Sequence, residues 1–402
     1  MWANDVINTK NRIDKNNNNK SSNFLSNSSF NELYGALDDN QTSRNKEKLL
    51  QKKQEREFGE FMMVQDFPAH IEAIWVAEFS PNCDYLATGS KDGIVKIWKI
   101  LGVEYDEEPF SLFEETPHWE LIFHSEPNCS ILDISWCVKV PNYLLVGRLD
   151  SKAFLWDIHN PEIPASIFEH EDAVTGVAFH PESEEEKMVF VTGWLDKSYR
   201  VWINNETEPE WTQQAKDYIT AISVSPDGAR VVIGLHMGQI IVWSYDNYTL
   251  NYITSIECKN RLGKYSKGTK VTSIIFLDNT DVLVTTNDSR IRIVNVEGRY
   301  VESGTKQMKF KGHKNDNLQI KATISEDMSF IICGSEDGYV YLWNKYTNDN
   351  EIQNKEKNEN NEKFAAFAPD MSIPTTTLFL PLTGQRIFMH KYALCGTGKI
   401  LK

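Results

Sequence analysis

Histidine and aspartate recur along this chain in an order that could support proton transfer. His70 precedes Asp92, His124 precedes Asp150, His170 precedes Asp196, and His313 precedes Asp337. An imidazole oriented by a carboxylate is the arrangement of a general base. A catalytic dyad, however, occurs once in a site, and this pairing recurs. Each of the four aspartates also stands six residues ahead of a tryptophan, at Trp98, Trp156, Trp202 and Trp343. Recurrence at fixed spacing marks a folding unit.

Other chemistries fail on their residues. "ALCGTGKIL" (393–401) resembles a phosphate loop, but Ala393 stands where the first Gly of GxxxxGK is required and Ile400 where Ser or Thr is. There is no G-x-S-x-G and no H-E-x-x-H. The six cysteines (Cys83, Cys129, Cys137, Cys258, Cys333, Cys395) show no C-x-x-C spacing, which points to reduced, mostly buried thiols and to no zinc site. The acidic runs "VEYDEEPFSLFEETP" (103–117) and "PESEEEK" (181–187) read as solvated loops. These observations lead to the expectation of a chain that is not an enzyme, with no catalytic residue, cofactor or metal.

The elements that position the recurring residues emerge on alignment. "GSKDGIVKIWKI" (89–100), "GRLDSKAFLWDI" (147–158), "GWLDKSYRVWIN" (193–204), "GLHMGQIIVWSY" (234–245) and "GSEDGYVYLWNK" (334–345) superimpose without gaps. In the fourth copy Met237 replaces the aspartate and Trp243 keeps its place. "TTNDSRIRIVNV" (285–296) joins them with Asp288 in register and Val294 where tryptophan belongs. Alternating apolar runs such as "AIWVAEFSP" and "VTGVAFHPE" lie upstream, so each unit reads strand, turn, strand, tight turn, strand.

The net charge of −15 disfavours binding to nucleic acid. No apolar run is long enough to span a bilayer and the N-terminus has no hydrophobic signal core, which suggests a soluble, cytoplasmic chain. Residues 1–57 form an Asn-rich extension typified by "KNNNNKSSN", expected to be disordered with a short helix in "TSRNKEKLLQKKQEREFGEF". A disordered loop is expected over 348–363. The folded part is expected over 58–402.

The repeated G-H and D-x5-W pattern closely resembles the WD40 repeat. That resemblance implies an all-β propeller of seven blades, six clear and a divergent seventh. "FAAFAPDMS" (364–372) would supply the first strand of the seventh and "TTLFLPLTGQRIFMHKY" later ones; "EFMMVQDF" (60–67) would close the ring. In the family the histidine and aspartate hydrogen-bond, linked through Ser or Thr to the indole. His70 with Asp92, and His313 with Asp337, fit that role, with Ser90 and Ser335 as linkers. His124, Asp150, Trp156, His170, Asp196, Trp202, Trp243, Asp288 and Trp343 are the other members of this network. Val294 and Met237 leave the networks of their blades incomplete.

Propellers carry function on loops around a central channel. Arg148, Lys152, Lys197, Arg200, Arg290 and Arg292 flank the tight turns and form a candidate basic ring for an acidic or phosphorylated peptide. Arg290 and Arg292 stand out because the repeat does not account for them. Several stretches are similar to the Rab-effector WD-repeat proteins, which include rabphilin-type endosomal effectors. They are "VTTNDSRIRI" (284–293), "QIKATISEDMSFIICGSEDGYVYLWN" (319–344), "EFMMVQDFPAHIEAIWVAEFS" (60–80), "ILDISWC" (131–137) and "VTGVAFHP" (174–181). This similarity implies a non-enzymatic scaffold recognising GTP-bound Rab GTPases in vesicle traffic, peripheral on endosomal membranes through its partners. The alternative is a subunit of a stable assembly of cytoskeletal, ciliary or ubiquitin-ligase type. Trp156-Asp157-Ile158-His159 lacks the arginine of the W-D-x-R found in ligase receptors.

Overall fold

The computed structural model describes residues 67–101, 119–169, 171–203, 206, 208–258, 270–297, 308–345, 361–365, 373–380 and 393–398. The chain divides into two compact units, Met1–Met62 with Ile400–Lys402, and Met63–Lys399; every described residue lies in the second. The expected N-terminal extension therefore falls outside the described residues, as does most of the expected closing strand at 60–67.

Six antiparallel four-stranded sheets follow one another along the chain. The first blade holds β1 (Ile74–Phe79), β2 (Tyr85–Ser90), β3 (Val95–Ile100) and β4 (Trp119–His124). The second holds β5 (Ile131–Trp136), β6 (Tyr143–Arg148), β7 (Lys152–Asp157) and β8 (Ser166–Glu169). In the third are β9 (Val174–Phe179), β10 (Val189–Trp194), β11 (Ser198–Ile203) and β12 (Trp211–Gln214). The fourth comprises β13 (Ile219–Val224), β14 (Arg230–Leu235), β15 (Gln239–Asp246) and β16 (Thr249–Glu257). The fifth has β17 (Val271–Phe276), β18 (Asp281–Thr286), β19 (Arg290–Asn295) and β20 (Met308–Phe310). The sixth has β21 (Ala322–Ile324), β22 (Phe330–Gly334), β23 (Tyr339–Asn344) and β24 (Asn361–Ala365). A two-stranded sheet of β25 (Ile373–Phe379) and β26 (Ala393–Gly398) ends the series.

Burial explains the strand patterns. All six residues of β9 and of β10 are buried, whereas β12 is exposed along most of its length. Inner strands are covered on both faces by neighbouring blades, so they read as continuous apolar runs rather than as an alternation. The apolar packing lies in slices between adjacent sheets: Leu145 and Leu155 of the second blade meet Phe190, Trp194 and Trp202 of the third. This is a propeller built of WD40 repeats.

A glycine near the end of the second strand lets five of the six blades accept the next, while the fifth has Thr285 there. A Cβ on Gly89 would stand 2.5 Å from Cγ2 of Ile131, and one on Gly193 would stand 2.6 Å from Cγ2 of Ile219. On Gly334 of the sixth blade, the equivalent atom would strike the backbone of Pro374 in β25. The two-stranded sheet thus occupies the place where the next blade's first strand would pack. Hydroxyls of inner strands tie the ring together. Thr175 donates to the Ile219 carbonyl at 2.7 Å, Thr272 to Ile320 at 2.7 Å, and Thr323 to Thr377 at 2.8 Å. Thr375 of β25 then donates to the Ile74 carbonyl of β1 at 2.5 Å, linking the last sheet to the first blade.

A longer link joins blades two and six. Lys321 Nζ, just ahead of β21, meets Asp133 Oδ1 at 2.6 Å, and Asp133 Oδ2 accepts the Val177 amide at 3.1 Å. Desolvation, and then the nearby Asp133 charge, push the carboxyl of Glu78 up to about 8, against the pull of Lys321.

Three expectations near the C-terminus need correction. The loop expected over 348–363 gives way to a strand at Asn361, because β23 offers an open edge and β24 pairs along it. Phe364 and Ala365 therefore end the sixth blade instead of starting a seventh. The following sheet instead begins at Ile373, and β26 pairs with it from the segment that resembles a phosphate loop.

Candidate interaction surface

The tight turn between the second and third strand of each blade is where the recurring aspartates sit. The residue after the aspartate position is left-handed in every blade: Gly93 (φ 82), Ser151 (φ 67), Lys197 (φ 71), Gly238 (φ 76), Ser289 (φ 57) and Gly338 (φ 85). The aspartate secures the turn by accepting the amide two residues on, as Asp92 does from Ile94 at 3.0 Å and Asp196 from Ser198 at 2.6 Å. Asp337 accepts the Tyr339 amide at 3.3 Å.

The rest of each carboxylate is treated differently around the ring, and Asp150 Oδ1 of the second blade is buried without a partner. In the first blade His70 Nδ1 lies 3.0 Å from Asp92, so that nitrogen carries the proton. His70 Nε2 then accepts from the Thr88 hydroxyl at 2.8 Å, and Thr88 in turn accepts the Trp98 indole N–H at 3.0 Å. The linker is thus Thr88, not Ser90, whose hydroxyl accepts the Asp92 amide and donates to the Glu72 carbonyl. Thr88 shares a sheet face with Trp98, whereas Ser90 lies at the end of β2 beside the turn.

The decisive position is four residues before the aspartate. The third blade has Thr192 there, which accepts N–H groups from both Trp202 (2.8 Å) and Trp194 (2.9 Å). Its His170 lies outside the described residues. The other blades carry Val146, Ile233, Val284 and Cys333, none with a hydroxyl. Accordingly Trp243 Nε1 is buried without a partner. Trp343 turns to the Lys311 carbonyl at 3.0 Å.

The expected pair of His313 and Asp337 does not form. Both His313 ring nitrogens are buried and unpartnered, and the ring packs edge-on against Trp343 with centroids 5.5 Å apart. Burial, and then the Arg290 charge, lower its pKa to about 4. Asp337 accepts instead from the Tyr341 hydroxyl at 2.7 Å, and Ser335 bonds the backbone of Lys314 rather than linking histidine to indole. His124 likewise stays exposed on β4 and forms no bond with Asp150: its ring nitrogen faces the Ser125 carbonyl at 3.5 Å.

Most of the basic ring is committed to the fold. Arg148 is buried, stacks 4.5 Å over Phe154 and holds Asp150 at 2.6 Å. Lys152 pairs with Glu169 at 2.7 Å, and Arg200 lies 3.9 Å from Asp196. Arg292 is buried, with its guanidinium forked onto Asp288 and onto the Thr286 hydroxyl at 2.6 Å. Arg290 donates to the Ser289 carbonyl at 2.6 Å. Arg292 is therefore a fastener that stands in for histidine and indole in the fifth blade.

Lys197 differs. Its ammonium lies 5.0 Å from the centroid of the Tyr218 ring, and no ion pair engages it among the described residues. Tyr218 meets His236 edge-on at 6.2 Å, and beside it Met237 is 58% exposed. Sequence reasoning overlooked Tyr218 and His236 because only the packing of two blades brings them to Lys197.

Nucleophiles and metal ligands are scarce. Burial pushes the Cys258 thiol up to about 12 and raises that of Cys137. Among the described residues no group of three or more His, Cys, Asp or Glu is arranged to hold a metal ion. No helix among them is long and apolar enough to cross a membrane.

Comparison with known proteins agrees with this geometry. The family described as WD domain, G-beta repeat matches residues 61–99 and 304–344. WD repeat-containing protein 44 of Xenopus laevis is 29% identical over 376 residues, covering 82% of this chain and 39% of that protein. An uncharacterized WD repeat-containing protein of Schizosaccharomyces pombe is 30% identical over 309 residues, covering 71% of this chain and 50% of that protein. The p21-activated protein kinase-interacting protein 1-like of Danio rerio is 23% identical over 284 residues, covering 71% and 67%. The chain spans half or less of the first two relatives. WD-repeat propellers act as scaffolds for protein interactions.

Proposed function

We propose that this chain is a non-enzymatic scaffold acting as an effector of a Rab-type small GTPase in vesicle or endosomal traffic. It would work in the cytoplasm and reach endosomal or vesicle membranes peripherally through its partners. The observation that carries the scaffold reading is the use of the recurring Asp and Trp residues, joined by His70 in the first blade, as turn and blade fasteners. Asp92, Asp196, Asp288 and Asp337 each close a turn or hold a neighbouring side chain, which accounts for their recurrence by folding. The Rab reading is supported by the similarity of "VTTNDSRIRI" and the other stretches above to Rab-effector WD-repeat proteins. The long match to WD repeat-containing protein 44 supports the WD-repeat scaffold part of the reading.

The test is a pull-down of Rab proteins loaded with GTP or with GDP, using the full chain as bait. Retention of the GTP form alone is expected. Equal retention of both forms, or of neither, overturns the effector reading. Co-migration with fixed partners on size exclusion, whatever the nucleotide, would favour a stable assembly instead.

A further inference from the structure

We propose that Lys197, Tyr218, His236 and Met237, at the junction of the third and fourth blades, form a docking patch for an acidic peptide segment bearing an apolar side chain. This rests on the scaffold reading and names the chemistry of the partner.

Backbone bonds make the patch continuous across two blades. The Ala215 amide donates to the Lys197 carbonyl at 2.8 Å, and the His236 amide to the Tyr218 carbonyl at 2.9 Å. The Met237 amide donates to Asp217 at 2.7 Å, so a carboxylate from the preceding loop anchors the start of this turn. With methionine in place of the aspartate, the turn presents an exposed thioether side chain at position 237. Methionine offers a soft apolar contact that adapts to varied side chains.

Charge sets this junction apart from the rest of the turn face. Lys91 is paired with Glu72 at 3.0 Å, Arg148 with Asp150 and Arg292 with Asp288. Lys197 rests on an aromatic face, and neither it nor the exposed Lys216 has an ion-pair partner among the described residues. A cation on an aromatic ring keeps its charge available to an incoming carboxylate. On a chain of net charge −15, an acidic partner needs such a local cationic spot.

Backbone geometry supports the same reading. Lys197 holds φ 71, a conformation in which three sister turns have glycine and the other two serine. A left-handed lysine costs about 1–2 kcal/mol that glycine would avoid. The contact with Tyr218 offsets part of that cost, and the retained strain is consistent with a functional role for the side chain.

The experiment uses the full chain and a short fluorescein-labelled peptide in which glutamates flank a leucine–phenylalanine pair, read by anisotropy. Binding that weakens with salt is expected. It should weaken roughly tenfold in Lys197→Gly or Met237→Asp, and for a peptide with glutamine in place of glutamate. Both variants keep a residue compatible with the turn, and a cooperative thermal transition no lower than that of the parent chain would verify their folding. No binding of the glutamate peptide, or equal binding by the variants or by the glutamine peptide, overturns the patch. Peptide binding without nucleotide-dependent Rab capture upholds the patch and removes only the GTPase reading. Rab capture without peptide binding does the reverse.

Discussion

The first and fifth blades place the same residue at the same turn and surround it with opposite chemistry. Asp92 faces a neutral relay of His70, Thr88 and Trp98. Asp288 faces a single buried guanidinium from Arg292, four residues on. In both blades that residue, Lys96 or Arg292, pairs across the strands with the residue four before the aspartate. Where this partner is Thr88, a hydroxyl relay forms and Lys96 reaches out to the Ala69 carbonyl. Where it is Val284, the relay is lost and an arginine satisfies the carboxylate directly. A buried carboxylate must be paired, but the fold accepts more than one partner.

The largest effect should come from breaking the fifth blade's ion pair. Arg292→Met leaves Asp288 buried without its cation and should destabilise the propeller by about 3–5 kcal/mol in urea unfolding. If the loss is under about 1 kcal/mol, water reaches Asp288 and the contrast with the first blade is wrong.

Acidity should act next, through the histidines. His313 is held at about 4 inside the fold against an ordinary 6.5, so between those values the unfolded chain binds a proton that the folded chain refuses. Stability is therefore full above about pH 6.5 and falls by about 3 kcal/mol as pH drops toward 4. His70 is lowered too, mainly by burial and against Asp92, and adds a loss of the same sign. His313→Phe should flatten most of this slope; an unchanged slope would assign it to other groups.

Thr88→Val should cost about 2 kcal/mol, since Trp98 and His70 both lose a buried partner. Val284→Thr in the fifth blade should restore nothing, because Val294 supplies no indole. A gain there would show that the relay can be rebuilt piecemeal. Smallest of all, Lys197→Gly should raise stability by about 1 kcal/mol by relieving the left-handed turn. A decrease would mean that the contact with Tyr218 contributes more than the strain removes.

Much of this was legible along the chain. The register of Asp92, Asp150, Asp196, Asp288 and Asp337 with the following strand placed five of the six tight turns, and Trp243 in register placed the other, because a two-residue period and a turn aspartate are local properties. The glycines at 89, 147, 193, 234 and 334 marked where blades approach. Thr88 and Thr192 could have been found as hydroxyls four residues ahead of the aspartate. His313 could not have been judged from its "KGH" context, which matches the pattern; its isolation follows from Tyr341 taking Asp337 first.

By itself, then, the sequence determined the repeat, the strand order within a blade and the residues that close each turn, since these depend on neighbours within one blade. The tertiary structure alone decided which cations are consumed and which remain available. Arg292 and Lys197 are both basic residues within four positions after a turn aspartate. One is buried because β19 points it inward onto Asp288, and the other rests on Tyr218 because the next blade presents an aromatic face to it. Burial and long-range partners are set by packing between blades, and no local spacing encodes them.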